Sequence, residues 1–331
     1  MPIKIGLAGV GHLGGIHLKC IQSIPGLDLV GFYEVDKERA ANISRDTGIP
    51  HFKNLDDLIM EVEALDIVTP TSTHFQIAER ALKADKHLFI EKPITATIEE
   101  AKMLKSLQED RGVVIQVGHV ERFNPAMLAI KDMKLNPRFI EVHRLANFNP
   151  RGTDVSVVLD LMIHDLDIIL SLVPSKVKRV MANGVSLVSQ TPDIGNARIE
   201  WENGCVANVT ASRMSFKNMR KMRLFQPDAY IGIDFLERQA QIIRLSDGQA
   251  AKQEKNEINI FELETPAGNK RIEIEMPSIE PVNAIEMELT CFAHSINTGE
   301  RPKVGTIEAL EALSLAFQIS NEIDYNLKKM T

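Results

Sequence analysis

The stretch Lys4-Ile5-Gly6-Leu7-Ala8-Gly9-Val10-Gly11-His12-Leu13-Gly14 decides the fold of this 331-residue chain. A short apolar run, Lys4 to Ala8, passes into a turn with glycine at 9, 11 and 14, and from Leu13 onward apolar residues recur at helical spacing. Strand, glycine turn and helix in that order form a phosphate cradle. The glycines allow a tight bend and close approach of the backbone to a pyrophosphate, whose charge then sits at the positive end of the helix. Glu34 ends the next β-rich run, twenty residues beyond Gly14, where a carboxylate accepts hydrogen bonds from the adenosine ribose. That carboxylate repels a 2′-phosphate, and Val35 and Asp36 supply no arginine to receive one, so the cofactor is read as NAD in preference to NADP.

Working outward, residues 1–120 alternate short β-rich runs with longer helical ones, the pattern of a parallel sheet with crossover helices. The strands are read at Lys4 to Ala8, Leu27 to Glu34, Ala64 to Thr69, Lys86 to Glu91 and Val113 to Gly118. Helices are read from near Leu13, Lys37, Leu55, Thr73 and Ile98. Glu121 to Lys134 then reads as a helix and Arg138 to Asn147 as a strand, before Pro150-Arg151-Gly152 breaks the chain. Asp160 to Leu172 is apolar except at Asp160, His164, Asp165 and Asp167, the pattern of a buried helix with a few polar intrusions. Repeated short β-runs from Val177 to Ile274, punctuated by turns such as Asn203-Gly204 and Asp247-Gly248, predict a mostly antiparallel sheet. Helices at Glu280 to Asn297 and Thr306 to Lys328 finish the chain. The expected architecture is therefore α/β: a Rossmann domain over 1–120 and a second α/β domain with a large open sheet over 121–331, in keeping with a length that exceeds one ordinary core.

Composition narrows the function. With 44% hydrophobic and 25% charged residues the chain is an ordinary globular protein, and no run approaches the ~20 apolar residues of a membrane span. A formal charge of -7 opposes nucleic acid and anionic membranes. Cys20, Cys205 and Cys291 are widely spaced and form no CxxC pair, and the sequence runs straight into a fold element at its start, so a reducing, cytoplasmic setting is expected. The nine histidines lack metal-ligand spacing, and no metal is expected.

Three further motifs, Thr69-Pro70-Thr71-Ser72-Thr73-His74, Glu91-Lys92-Pro93, and Asp160 with His164 four residues later, join the glycine turn. Together, in this order and spacing, they resemble the glucose-fructose oxidoreductase, inositol dehydrogenase and MocA family over the whole chain. The resemblance implies a Rossmann domain followed by an α/β domain whose open sheet serves as a dimer or tetramer interface. It also implies that Thr69, Pro70, Thr71 and His74 lie against the cofactor; read by residue type alone, the stretch is a plain loop in which Ser72 or Thr73 caps the following helix, a role that does not exclude cofactor contact. Gly9, Gly11, His12, Leu13, Gly14, Glu34 and Glu91 complete the expected cofactor contacts. Lys92 follows the apolar run His87 to Ile90, at the carboxyl end of a buried strand, where open α/β sheets bind ligands.

On an α-helix Asp160 and His164 share one face and reach one small molecule. Burying ionisable groups is costly, which suggests a purpose, and the resemblance makes His164 the general base, with Lys92 the alternative. The chemistry expected is oxidation of a secondary alcohol: the base takes the hydroxyl proton, Lys92 stabilises the developing charge on oxygen, Asp160 orients the site, and hydride leaves carbon for the nicotinamide. The wording Gly118-His119-Val120-Glu121-Arg122-Phe123-Asn124-Pro125 resembles the sugar-nucleotide branch of the family, more narrowly its UDP-N-acetylglucosamine 3-dehydrogenases, and places His119, Glu121, Arg122 and Asn124 near the substrate. A UDP pyrophosphate needs cations, for which Arg122, Arg144 and Arg151 are candidates, the last two reading equally as solvated surface arginines. Inositol-type polyols are the alternative substrates, and a regulatory protein that binds NAD without chemistry is the alternative class.

Overall fold

The computed structural model describes residues 1–149, 155–246, 258–265 and 268–330. Two compact units emerge: Met1–Val120 together with Asn283–Ser314, and Glu121–Val282 together with Leu315–Thr331.

The first unit carries a six-stranded parallel sheet in the order β3-β2-β1-β4-β5-β6, built from β1 (Ile3–Ala8), β2 (Leu27–Tyr33), β3 (His51–Phe52), β4 (Ala64–Ile67), β5 (His87–Glu91) and β6 (Ile115–Gly118). Between them run α1 (His12–Ser23), α2 (Lys37–Thr47), α3 (Leu55–Glu61), α4 (Thr71–Lys83) and α5 (Ile98–Arg111). This is the doubly wound order, with its topological switch between β1 and β4, where such sheets bind ligands. Local chemistry sets the helix ends. Asp36 accepts from the N–H groups of Glu38 and Arg39 to start α2, and Thr97 with Glu100 forms a capping box on α5. The two-residue strand β3 has no run long enough to show a period, and the sequence reading did not find it.

The second unit holds a nine-stranded sheet in the order β14-β15-β13-β12-β11-β7-β10-β9-β8. Its strands are β7 (Phe139–Leu145), β8 (Val177–Val185), β9 (Ile194–Trp201), β10 (Val206–Ser212), β11 (Met219–Gln226), β12 (Ala229–Asp234), β13 (Gln239–Ser246), β14 (Ile258–Thr265) and β15 (Gly268–Glu275). All neighbours pair antiparallel except β7 and β10, which run parallel. Strict alternation shows along β7, whose Ile140, Val142 and Arg144 turn inward. The Asn203-Gly204 turn joins β9 to β10 with Gly204 left-handed at φ 83°, whereas Asp247-Gly248 lies outside the described residues.

Three expectations are corrected. Glu121 to Lys134 is not one helix: a single 3-10 turn spans Val120–Phe123, and α6 covers only Pro125–Leu128. Asn124 is held extended at ψ 132° because the ring of Pro125 excludes the helical conformation from the residue before it, so the helix restarts with Asn124 as its cap. Asp160 lies in a π-turn, Val158–Met162, that leads into α7 (Ile163–Leu172), with the N–H of Ile163 reaching back five residues to Val158. The wider turn removes the simple α-helical relation between Asp160 and His164. Finally, the division 1–120 and 121–331 is cut differently by the structure. Helix α8 (Ala284–Thr298) returns to the first unit, where Leu289, Phe292 and Ala293 join the core cluster of Ile3, Ile5, Ile21 and Phe89. The last helix, α9 (Thr306–Met330), belongs to the first unit through Ser314 and to the second beyond it, where Ile323 packs over Gly184 and Asn326 donates to the carbonyl of Ala182. An amphipathic period shows that such a helix has an apolar face, not which core receives it.

Candidate active site

In the first unit the glycine turn is shaped for close backbone approach. Gly9 adopts φ 89°, and a side chain at Gly14 would stand 2.1 Å from the carbonyl oxygen of Gly9, so neither position accepts a Cβ. A Cβ at Gly11 would meet nothing within 4 Å, and Gly11 caps α1, whose first turn carries no acidic side chain. That open, unopposed helix N-terminus suits a pyrophosphate. His12 and Leu13 are exposed beside it. Glu34 is buried, its Oε2 accepting from the N–H of Val10 at 3.1 Å and its Oε1 from that of Asp36 at 3.0 Å, so the carboxylate braces the turn. Arg39 stands 3.5 Å from Glu34 and 3.6 Å from Asp36, a cation that the sequence reading overlooked and that these two carboxylates engage.

Thr71 is the first residue of α4 and Pro70 its cap, without a side-chain capping bond. Neither Ser72 nor Thr73 caps the helix; the Thr73 hydroxyl lies 2.8 Å from both the Pro70 carbonyl and the Thr69 hydroxyl. His74 is buried, with Nε2 2.9 Å from the Thr69 carbonyl and Nδ1 3.0 Å from that of Pro93, and burial lowers its pKa. It thus ties the loop after β4 to the loop after β5. Lys92 is half-buried directly beyond the buried β5, and its peptide bond to Pro93 is cis. Glu91 is buried, and its Oε2 accepts from the Lys92 N–H at 3.2 Å. His119, at the end of β6, is buried too.

In the second unit Asp160 and His164 are half-buried on the π-turn and on α7. The candidate arginines have taken other partners. Arg144 is buried, with Nε and Nη2 on the two carboxylate oxygens of Asp165 at 2.8 and 2.9 Å and Nη1 on Glu121 at 2.9 Å. Burial alone would lower its pKa, but Asp165 and Glu121 raise it further, so the guanidinium stays charged. Arg122 holds Asp167 in the same two-pronged way, at 2.5 and 2.9 Å. Asn124 donates to Glu121 at 2.9 Å and to the Phe235 carbonyl at 3.1 Å. Asp165 and Asp167 near His164 are therefore anchored, Asp165 to β7 and Asp167 to the 3-10 turn. Arg151 lies outside the described residues.

Residues 3–119 match the family described as "Oxidoreductase family, NAD-binding Rossmann fold", and residues 137–227 match the "GFO/IDH/MocA C-terminal domain". The chain belongs to the GFO/IDH/MocA oxidoreductase family. Within it, the chain is 41% identical over 235 residues to UDP-N-acetylglucosamine 3-dehydrogenase of Acidithiobacillus ferrooxidans, covering 71% of this chain and 74% of that one. A solved structure of that protein, GnnA, superposes with a TM-score of 0.88 at 33% identity over 98% of each chain. The chain is also 30% identical over 235 residues to scyllo-inositol 2-dehydrogenase (NAD(+)) of Bacillus subtilis, covering 64% of this chain and 68% of the relative.

The matched domain is an NAD-binding Rossmann fold, the cofactor is NAD, and the cradle around Gly11 with Glu34 behind it fits that group. Three ionisable residues that the sequence reading did not single out are His17, Asp66 and Glu288, all wholly buried in the first unit. Asp66 carried a signal, a lone carboxylate inside the apolar run Ala64 to Ile67. Among the described residues no group of histidine, cysteine and carboxylate side chains is arranged to hold a metal, and no helix is long and apolar enough to cross a membrane.

Proposed function

We propose that this oxidoreductase oxidises the C3 hydroxyl of UDP-N-acetylglucosamine to the 3-keto sugar. The observation that carries the reading is the likeness to the Acidithiobacillus enzyme, which spans both units at an identity that its inositol-acting relative does not reach.

In this reading NAD, held at the glycine turn with Glu34 behind it, would supply the hydride acceptor, and the chain's own residues handle the proton and the charge. His164 takes the hydroxyl proton on an imidazole nitrogen, the commonest general base for such a step. Lys92 donates a hydrogen bond to the same oxygen as negative charge develops there. Asp160 orients or polarises the reacting group. Arg122 and Arg144, already committed to Asp167 and Asp165, hold α7 in place and leave the pyrophosphate to other cations, of which Arg151 is the remaining candidate. Glu121 and Asn124 support Arg144, and His119 borders the same segment.

The test is NADH formation with UDP-N-acetylglucosamine set beside scyllo- and myo-inositol, the polyol alternative that the Bacillus relative favours. Oxidation of an inositol with no response to the sugar nucleotide transfers the protein to that branch. His164→Ala and Lys92→Ala should each lower turnover ~100-fold or more while NAD affinity, read by calorimetry, stays close to that of the parent. Near-normal turnover in both variants would remove their assignment.

The free thiols of Cys20, Cys205 and Cys291 suit a cytoplasmic enzyme. We further place a self-association surface on the open face of the nine-stranded sheet, where His143, Lys221, Arg223 and Tyr230 line a groove of about 940 Å³. A reverse-charge pair at Lys221 and Arg223 should shift the light-scattering mass from dimer or tetramer to monomer.

A further inference from the structure

Three ionisable side chains lie enclosed in the first unit beneath its ligand-binding edge and have no part in the proton transfer described above. His17 projects from α1, the helix that begins at the glycine turn. Its Nδ1 stands 2.8 Å from Asp66 Oδ2 on β4, and its Nε2 stands 3.2 Å from Glu91 Oε1 at the end of β5. His17 and Asp66 are 0% exposed, and the edge of Phe89 closes over the imidazole with ring centroids 5.7 Å apart. Burial alone would lower the pKa of His17, but the two carboxylates outweigh it and raise it above its ordinary value.

An apolar trio of similar volume would fill this space without the desolvation cost that buried charges carry. What an apolar trio would not do is fix a carboxylate. Glu91 Oε1 stands 3.2 Å from His17 Nε2, within ion-pair distance, and Oε2 accepts from the N–H of Lys92, so each carboxylate oxygen has a neighbour that draws it to one side. Its register partner on β6 is Gly118, where a Cβ would come within 2.6 Å of Oε1. Glu91 is thus held by α1, by its own chain and by the space that Gly118 leaves. On the other side of Lys92, the carbonyl of Pro93 is held by His74. The lysine backbone is braced at both ends, one brace running to the helix of the dinucleotide turn.

We propose that His17 is a positioning residue for Lys92: by bridging Asp66 and Glu91 it fixes the carboxylate that orients the lysine, and so couples the dinucleotide helix to the reacting end of the site. The proposal rests on the assignment of Lys92 to the reacting oxygen.

The test uses the full chain in four variants: His17→Gln, Glu91→Gln, the double variant, and Lys92→Ala. Melting temperature and NAD affinity report folding and cofactor binding. Turnover with UDP-N-acetylglucosamine reports function, and the rate of Lys92 acetylation by acetic anhydride, read by peptide mass spectrometry, reports the lysine without turnover. His17→Gln should bind NAD within about threefold of the parent, lose ~10-fold or more in kcat with little change in KM, and alter Lys92 acetylation relative to other lysines. Glu91→Gln should reproduce the fall in kcat and the altered Lys92 labelling, and the double variant should lose no more kcat than the larger single loss, because both break one linkage. A residue of structural value only would lower the melting temperature and leave kcat and Lys92 labelling of the folded protein unchanged. That result, or additive losses in the double variant, overturns the proposal while Lys92→Ala remains inactive. If His17→Gln fails to fold, Glu91→Gln alone carries the same readouts: a fall in kcat with altered labelling supports the proposal, and unchanged kcat and labelling overturn it. Normal turnover in Lys92→Ala overturns the underlying assignment and the positioning role with it.

Discussion

At the scale of single residues, the turn between β1 and α1 shows how closely chemistry and space are matched. Gly14→Ala would place a methyl group 2.1 Å from the Gly9 carbonyl, a contact that must displace the turn. Its expected outcome is a tenfold or greater loss of NAD affinity, on the order of 1.4 kcal/mol, measured by calorimetry. Glu34 has a second neighbour that sequence proximity did not reveal, because Arg39 is brought within 3.5 Å by the first turn of α2. Glu34→Ala should therefore weaken NAD binding and release Arg39 toward a 2′-phosphate, lowering the preference for NAD over NADP in a paired titration. An unchanged cofactor ratio would mean that Arg39 does not reach that position. Asp193 illustrates a buried carboxylate with a structural duty. Burial would raise its pKa, but the N–H groups of Leu187, Val188 and Ser189, at 2.7, 2.8 and 3.1 Å, bring it down to about 2.

Among the elements, α7 is held by two arginine–carboxylate pairs. Two arginines from different parts of the second unit grip Asp165 and Asp167, one and three residues beyond His164, so the orientation of that histidine is a property of β7, the 3-10 turn and α7 together. Arg144→Leu would leave buried Asp165 without its paired guanidinium and Glu121 with only Arg220, 3.5 Å away, which costs about 3–5 kcal/mol for a broken buried pair and should appear as a large drop in melting temperature. Arg144→Lys should recover only part of it, because an ammonium does not meet Asp165 with two parallel bonds while also reaching Glu121. Equal stability of parent and Arg144→Leu would show that the network is dispensable. The sequence reading saw the polar intrusions in this helix and the arginines separately. Arginine is chosen both for phosphate and for carboxylate, and only the fold decides which of the two it meets.

For the molecule as a whole, the return of α8 makes the first unit discontinuous. A fragment of residues 1–120 would expose Ile3, Ile5, Ile21 and Phe89, which Leu289, Phe292 and Ala293 otherwise cover. Joining 283–314 to it through a linker should restore a cooperative melt and NAD binding; cooperative folding of 1–120 alone would refute this. The pH dependence of stability carries the sign of Asp193. Its folded pKa lies below the unfolded value near ~3.9, so its contribution, of order 2 kcal/mol, is present above that pH and is lost as pH falls from ~4 toward ~2. Asp193→Asn should be less stable than the parent at neutral pH, with the gap closing in acid denaturation measured between those limits.

The sequence by itself determined the local and periodic features. The glycine turn with Glu34 specifies its own geometry, the 3.6 and 2.0 periods mark most of the longer helices and strands, and a glutamate-lysine-proline triplet after an apolar run marks a strand end. These signals lie within a few residues of one another, or in a repeat, so they can be read without knowing what the segment packs against. The tertiary structure alone decided matters of partnership: Arg144 with Asp165 across 21 residues, His17 with Asp66 across 49, and α8 with the core that its chain left more than a hundred and fifty residues earlier. Even the relation of Asp160 to His164 belonged to it, because a π-turn replaced the α-helical spacing. A buried charge is stable only beside its counterion, and an apolar face only against another, so the partner is fixed by the packing of the whole chain and leaves no mark at either position alone.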